Sequence, residues 1–407
     1  MKSARRSDST LAASSTARAA DPLRAPRAPL IAPPGLEGVV VADTQIGDVR
    51  GDEGFYHYRQ YDAIELAAKR TLEDVWHLLY EGTLPDSGEG AAFSARIRSL
   101  RALPASLHPA LQAITAIGQQ VTPLDALRTA CSMLAAAEGF RSWLDTDRTT
   151  LRDQGLRICA ALPTLVAALH RLRQGCDPLE PRPDLPYAAN YLYMLTGAEP
   201  DSERARALEQ YLICTIDHGF NASTFTARMI ASTGADIGAA VVGAMAALSG
   251  PLHGGAPSRS LGMLDAIGTA DQADPWIRRA VSTGQRLMGF GHRVYKTEDP
   301  RARLLRAVAE RLGGPRLELA KMVETKALAI LDELKPGRQL FTNVEFYAGV
   351  VLEEIGLARD LFTATFVCSR SIGWTAHYLE QVASSRLIRP SARYTGPQPP
   401  EPVPDPD

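Results

Sequence analysis

The chain has 407 residues, 45% hydrophobic and 22% charged, with a net charge of −2. This is the composition of a globular protein long enough for two or three ordinary domains. It offers no basic field for nucleic acid and no apolar run of membrane-spanning length. Cys131, Cys159, Cys176, Cys214 and Cys368 are scattered and form no CxxC pair. They suggest neither a disulfide framework nor a zinc site, and a reducing, cytoplasmic setting is expected. Residues 1–34 are rich in Ala, Ser, Arg and Pro, with Asp8 and Asp21 as their only acids. The composition resembles a transit peptide, but there is no clear amphipathic helix and several prolines interrupt it, so a disordered tail is expected.

Between that tail and a second, Pro- and acid-rich tail at 396–407, the pattern is helical. Residues 38–41 and 44–46 suggest a small hairpin. Ile64, Leu66, Leu72, Val75, Leu78 and Leu79 recur at helical spacing over 62–80, and Gly82 ends the run. Further buried helices are predicted at 111–117, 123–137 and 156–172, and an amphipathic one at 201–216. Ser223 and Thr224 are placed to cap a helix over 225–232. Residues 235–248, almost all small and apolar, suit a core helix or a subunit-interface helix equally. Asp299-Pro300 is a cap and first-turn pair. It opens a helix with Leu304, Leu305, Val308 and Leu312 on one face, and Leu319, Val323, Ala327, Ile330 and Leu334 repeat that pattern. Asn343 caps a helix through 355, and 361–381 forms the last long one. Strand signals are too sparse for a major sheet, so the fold class is all-α.

Two loops carry the chemistry. Gly250-Pro-Leu-His253-Gly-Gly255 and Gly289-Phe-Gly-His292-Arg-Val-Tyr295 each set one imidazole among glycines, where backbone can approach a small ligand closely. Arg301 lies nine residues beyond the second histidine. Two titratable donors and a fixed cation suit a reaction that builds negative charge on an oxygen beside an anionic substrate. Taken singly, His253 and His292 read as locally hydrogen-bonded histidines, Asp217-His218 as a cap and a surface histidine, Arg301 and Arg389 as surface cations, and Glu345 as a first-turn acid at a helix dipole. Arg370 differs. It lies mid-helix between Phe366 and Trp374 with no acid close in sequence, and an unpaired buried charge is costly, so an anionic ligand is expected. Together these residues make a base, two electrophilic donors and carboxylate clamps.

The set resembles the citrate synthase family over about residues 35–396. The likeness is carried by Gly35-Leu-Glu-Gly-Val39, Tyr58-Arg59 with Tyr61-Asp62, His218-Gly-Phe-Asn-Ala-Ser-Thr224, the His253 loop through Ala256, the His292 loop through Lys296, Asp299-Pro-Arg301, Asn343-Val-Glu-Phe-Tyr347 and Arg389-Pro390. It implies a large helical domain (35–254 and 357–395) with a small helical domain (255–356) inserted near its C-terminal end. It implies a homodimer with active sites at the domain cleft. The activity implied is that of an acyltransferase of the tricarboxylic acid cycle, condensing acetyl-CoA with oxaloacetate and water to citrate and CoA. Acetyl-CoA is then a co-substrate, and neither cofactor nor metal is called for. By motif, Glu345 would take the methyl proton, His253 would hold the enol(ate) oxygen and His292 would polarise and protonate the ketone. His218, Arg301 and Arg370 would bind oxaloacetate, with Arg389 reaching across the dimer. An extra N-terminal β-domain of the kind linked to hexamers and NADH inhibition is not seen, so a dimer without strong NADH allostery is expected.

The chain departs from the family pattern at three places. Glu345 stands where aspartate is usual, Pro257-Ser258 where Asn-Glu is common, and Gln60 where glycine is frequent. Two other functions fit the same residues. One is a 2-methylcitrate synthase using propionyl-CoA, because one methylene discriminates by only about 1–3 kcal/mol. The other is a non-catalytic paralogue that keeps the oxaloacetate site to regulate or bind a partner.

Overall fold

The computed structural model describes residues 30–404 apart from Leu252, Gly255, Ala256, Ser385 and the side chain of Pro257. Most of the tail expected over 1–34 therefore lies outside the described residues, as do residues 405–407. Residues 396–404 carry neither helix nor strand and are exposed. Thr44–Ile388 forms one compact unit, and the described flanking residues, 30–43 and 389–404, belong to another.

Sixteen α-helices and one small sheet make up the described residues, so the fold is all-α. Strands β1 (Gly47–Arg50), β2 (Phe55–Tyr58) and β3 (Tyr61–Asp62) pair antiparallel in that order, with Gly47 opposite Tyr58 and His57 opposite Asp62. The sheet lies just beyond the expected hairpin, since residues 38–46 form no strand. Alternation explains the shift. Tyr56 and Tyr58 share one face of β2 and are 1% exposed, whereas Val40 is 86% exposed and gains nothing by pairing.

Capping decides most helix starts. The run over 62–80 is two helices, because Asp62 caps Ala63–Lys69 and a capping box of Thr71 and Asp74 opens Leu72–Glu81. Gly82 closes the second at φ 89°, as expected. Asp299 caps Pro300–Leu312 and Asn343 caps Val344–Glu354. Asn221 caps Ala222–Ser232, not Ser223 or Thr224, because its Oδ1 accepts the Thr224 amide. Pro123–Ala137 matches its predicted bounds. Ser87–Ser99, Tyr187–Thr196, Pro257–Ile267 and Ala273–Ser282 are additional helices.

Arg148–Arg173 is the central helix, apolar and long enough to cross a membrane by composition, a run longer than patterning alone suggested. In the fold 78% of its most apolar window is buried. It packs against Phe362–Ser384 and Pro123–Ala137 as a core helix.

The site is positioned from the end of Ser202–Thr215. Last-turn carbonyls of a helix lack intrahelical donors. Here the Ile213 carbonyl accepts from Tyr58 Oη at 2.8 Å, Cys214 from Tyr56 Oη at 3.0 Å, and Thr215 from Arg370 Nε at 2.8 Å. The sheet and Phe362–Ser384 therefore grip the same helix end, immediately before Asp217-His218. Phe362–Ser384 comes so close there that a Cβ on Gly373 would collide with the Ile216 carbonyl. Gly373→Ala is expected to destabilise the protein by about 1–3 kcal/mol, as overpacking does. Urea unfolding monitored by far-UV circular dichroism measures this, and an unchanged midpoint would refute the close approach.

Candidate active site

His218 lies in the loop between Ser202–Thr215 and Ala222–Ser232, and His253 in the loop after Ile237–Leu248. His292 follows Phe290, which forms a β-bridge with Thr342. Arg301 and Glu345 sit in the first turns of the helices capped by Asp299 and Asn343, and Arg370 is on Phe362–Ser384.

His292 stands at the centre. Its Nδ1 accepts the amides of Val294 and Tyr295 at 3.0 and 3.1 Å, and its Nε2 is 3.3 Å from Arg301 Nη2. With Nδ1 an acceptor, a neutral ring carries its proton on Nε2. That proton and the guanidinium then face each other as two donors, an arrangement that an acceptor oxygen placed between them would satisfy. The His218 ring is 5.6 Å from the His292 ring, and His218 Nε2 is 3.0 Å from Tyr295 Oη. Burial and the Arg301 charge, opposed by Asp299, lower the pKa of His292 to about 4. Burial, then Arg301, His292 and Arg370, push His218 well below its ordinary range.

His253 has the opposite polarity. Its Nε2 accepts the Ser223 amide at 3.2 Å and is 2.9 Å from Ser223 Oγ, which also accepts from Trp374 Nε1 at 3.1 Å. The proton of a neutral ring is then on Nδ1. Burial and the Arg370 charge lower its pKa to about 4. Near neutral pH both loop histidines are uncharged donors.

The two buried guanidiniums differ in what holds them. Arg301 is gripped by Asp299, Nε to Oδ1 at 2.9 Å and Nη2 to Oδ2 at 2.8 Å. Arg370 donates Nε to the Thr215 carbonyl, and Phe366 lies under its guanidinium at 4.6 Å. Its Nη groups have no hydrogen-bond partner among the described residues. Burial depresses its pKa, and Asp217 acts against that.

Glu345 is tied to the His292 loop through its cap. Asn343 donates its amide to the Gly289 carbonyl and Nδ2 to the Gly291 carbonyl, both at 2.8 Å, while its Oδ1 accepts the Glu345 amide at 3.0 Å. Gly289 has φ 85°, and a Cβ there would come within 2.7 Å of the Phe346 side chain. Burial raises the Glu345 carboxyl to about 7, against the pull of Arg286 and Arg301. A carboxylate half ionised near neutrality is suited to proton abstraction.

Beside His292 a cleft of about 490 Å³ is lined in part by Arg286, Arg293, Lys335 and Arg338. None of the four has a carboxylate partner among the described residues, and the cleft is a ready anion site. Among the described residues, no group of three or more His, Cys, Asp or Glu side chains is placed to hold a metal.

The structure thus brings His218, His292, Arg301 and Glu345 together, with His253 and Arg370 coupled to them by charge. Arg389 belongs to the flanking unit and is exposed. Sequence reasoning missed Tyr295, the grip of Asp299 on Arg301, the nearness of Asp217 to Arg370, and the cationic cleft. Tyr295 and Asp299 lay inside quoted motifs, and their pairing with His218 and Arg301 was the unread signal.

A family model described as "Citrate synthase, C-terminal domain" matches residues 35–391. The putative citrate synthase 2 of Mycobacterium tuberculosis is 41% identical over 374 residues, 91% of this chain and 94% of that protein. The citrate synthase of Haloferax volcanii is 40% identical, over 89% and 95%. Among solved structures, citrate synthase from Thermoplasma acidophilum, in a ternary complex with carboxymethyl coenzyme A and oxaloacetate, superposes with a TM-score of 0.84. It is 29% identical and covers 91% of this chain and 97% of its own. The Thermotoga maritima citrate synthase gives 0.79 at 34% identity, over 91% and 98%. The helical fold and these likenesses together define an all-α acyltransferase. The chain belongs to the citrate synthase family.

The raised Glu345 carboxyl has a sign for stability. Folding favours its protonated form, so the group is neutral to stability below its ordinary pKa of 4.5 and increasingly destabilising as pH rises towards about 7. Glu345→Gln is expected to be more stable than wild type at pH 8, by up to about 3 kcal/mol, and equal to it at pH 4. Thermal melts at the two pH values check this, and a gain at pH 4 equal to that at pH 8 would exclude a buried carboxylate as its source.

Proposed function

We propose that this chain condenses acetyl-CoA with oxaloacetate and water to give citrate and CoA. The observation that carries the reading is a carboxyl poised near neutrality at a site with two uncharged histidines of opposite tautomer. Glu345 takes the methyl proton of acetyl-CoA. Charge developing on the thioester oxygen is met by His253 Nδ1–H, a preplaced donor that need not first lose a proton. The methylene carbon bonds to the ketone carbon of oxaloacetate, and the ketone oxygen takes the Nε2 proton of His292. Arg301, Arg370 and His218 hold the oxaloacetate carboxylates. Water hydrolyses the citryl thioester and frees CoA. Arg286, Arg293, Lys335 and Arg338 supply counter-charge for the phosphates of CoA beside His292.

The same reading takes residues 255–356 as a small domain closing on a large one of 35–254 and 357–395, which would exclude water from the enolate. It takes the protein as a cytoplasmic homodimer in which Arg389 of each protomer completes the partner's oxaloacetate site.

Thiol release from acetyl-CoA and from propionyl-CoA, each with oxaloacetate, tests the reaction. Wild type is expected to prefer acetyl-CoA, and Glu345→Gln to lose about 10²–10⁴-fold in kcat. Preference for propionyl-CoA would move the assignment to 2-methylcitrate synthesis, and oxaloacetate binding without turnover would favour the non-catalytic paralogue. With Glu345 as base, kcat/KM is expected to fall about tenfold per pH unit below about 7 and to level off above it. A flat profile from pH 5 to 8 would remove Glu345 from that role.

Arg389→Ala and Arg370→Ala are each expected to be nearly inactive alone. Heterodimers of the two should recover about a quarter to a half of wild-type activity, because one of the two shared sites is then intact. Verified heterodimers without recovery would place Arg389 outside the partner's site.

A further inference from the structure

Behind the proposed keto-acid pocket lies a second charged layer to which the mechanism gives no task. Asp217 and His377 are 1% and 0% exposed, and His377 Nε2 stands 3.3 Å from Asp217 Oδ1. The approach is an ion-pair contact, since neither atom meets hydrogen-bond geometry with any partner among the described residues. The other ring nitrogen of His377, Nδ1, is 3.2 Å from Arg228 Nη1, which also pairs with Glu380. A guanidinium only donates, so Nδ1 accepts and the ring proton is on Nε2, the nitrogen on the Asp217 side. Burial pushes the Asp217 carboxyl up, but His377 and Arg370 outweigh it and hold the group ionised.

The placement gives this pair a reach into the site. Asp217 directly precedes His218, and its Oδ2 accepts the Gly219 amide at 3.3 Å. His377 shares Phe362–Ser384 with Arg370 and Trp374, at a spacing that puts all three near one face. Gly373 lets that helix press against the Ile216 carbonyl and the Asp217 side chain. Phe220 closes the far side, edge-on to the His377 ring at 5.7 Å.

We propose that Asp217 and His377 are a positioning pair for the keto-acid substrate, setting His218 through the backbone and Arg370 through charge while touching no substrate. One carboxylate offsets the Arg370 charge in the empty site. His377 holds that carboxylate away from the Nη groups of Arg370, which stay open to substrate. Without the His377 proton, Asp217 is free to turn onto Arg370 and compete with the substrate carboxylate.

This rests on oxaloacetate being the ligand of Arg370, and the test keeps the two claims apart. His377→Leu fills the space without a donor, and His377→Gln restores an N–H towards Asp217. The Leu variant is expected to raise the KM for oxaloacetate about tenfold, the effect of about 1.4 kcal/mol. Its KM for acetyl-CoA should stay within about twofold, and His377→Gln should recover most of the loss, since a restored donor again satisfies the buried carboxylate. Equal behaviour of the Gln and Leu variants, both KM values rising in step, or an unchanged oxaloacetate KM would overturn the proposal. Should His377→Leu fail to fold, His377→Ala, which also removes the donor, carries the same comparison with His377→Gln, with a raised KM expected for oxaloacetate alone. If wild type releases no thiol, the condensation reading falls, and calorimetric titration with oxaloacetate then decides the pair. About tenfold weaker binding by the Leu variant would uphold the pair. Equal binding, or no oxaloacetate binding by wild type, would end it.

Discussion

The Asp299 carboxylate, 1% exposed, accepts four hydrogen bonds, and the rest of the site hangs on it. Oδ1 takes the Arg301 amide and Nε, and Oδ2 takes Arg301 Nη2 and the Val344 amide. Breaking a buried ion pair of this kind typically costs about 3–5 kcal/mol, because the surviving charge is stranded. Asp299 thereby fixes a cation at the start of one helix and the start of the helix bearing Glu345. Arg301 in turn lies against His292. One carboxylate sets the relative positions of Arg301, His292 and Glu345.

The two guanidiniums show how a buried charge can be stabilised without being used up. Arg301 spends Nε and Nη2 on Asp299 and keeps the rest of its fork for the pocket. Arg370 spends only Nε, on a helix-end carbonyl, and rests on the face of Phe366, where a cation gains from the ring quadrupole. Burial keeps His218, His253 and His292 uncharged, helped by Arg301 at His292, by Arg370 at His253 and by both at His218, while burial holds Glu345 near half ionisation. The site therefore concentrates hydrogen-bond donors without filling itself with protonated histidines. Such an arrangement stabilises a developing oxyanion because the donors need no reorganisation when the charge appears.

Much of this was legible in the sequence where a local rule has a single outcome. Asp299, Asn343 and Gly82 announced helix boundaries, and the histidine loops announced themselves by their glycines. Legibility failed where the partner is distant. The valines at 39–41 have strand propensity, but pairing depends on what alternate residues bury, and only Tyr56 and Tyr58 had helix-end carbonyls to bond. Ser223 looked like a cap, yet Asn221 took that role and Ser223 went to His253 and Trp374. Arg370 has no acid near it in sequence, and the one that answers it, Asp217, arrives from the loop after Ser202–Thr215. The cationic cleft draws on residues from 281 to 340, so no short motif could have signalled it.

Glu345 carries the carboxyl proposed as base on a side chain one methylene longer than that of aspartate. A base misplaced by about 1 Å can cost on the order of a hundredfold in rate. An extra methylene puts the carboxylate at risk of that error unless the backbone beneath it is held. Here it is held from three directions. Asn343 binds the carbonyls of Gly289 and Gly291, Asp299 binds the Val344 amide, and Phe346 packs against Gly289, where no side chain fits. The helix start and the His292 loop therefore move as one body, and the reach of the glutamate is measured from a fixed origin.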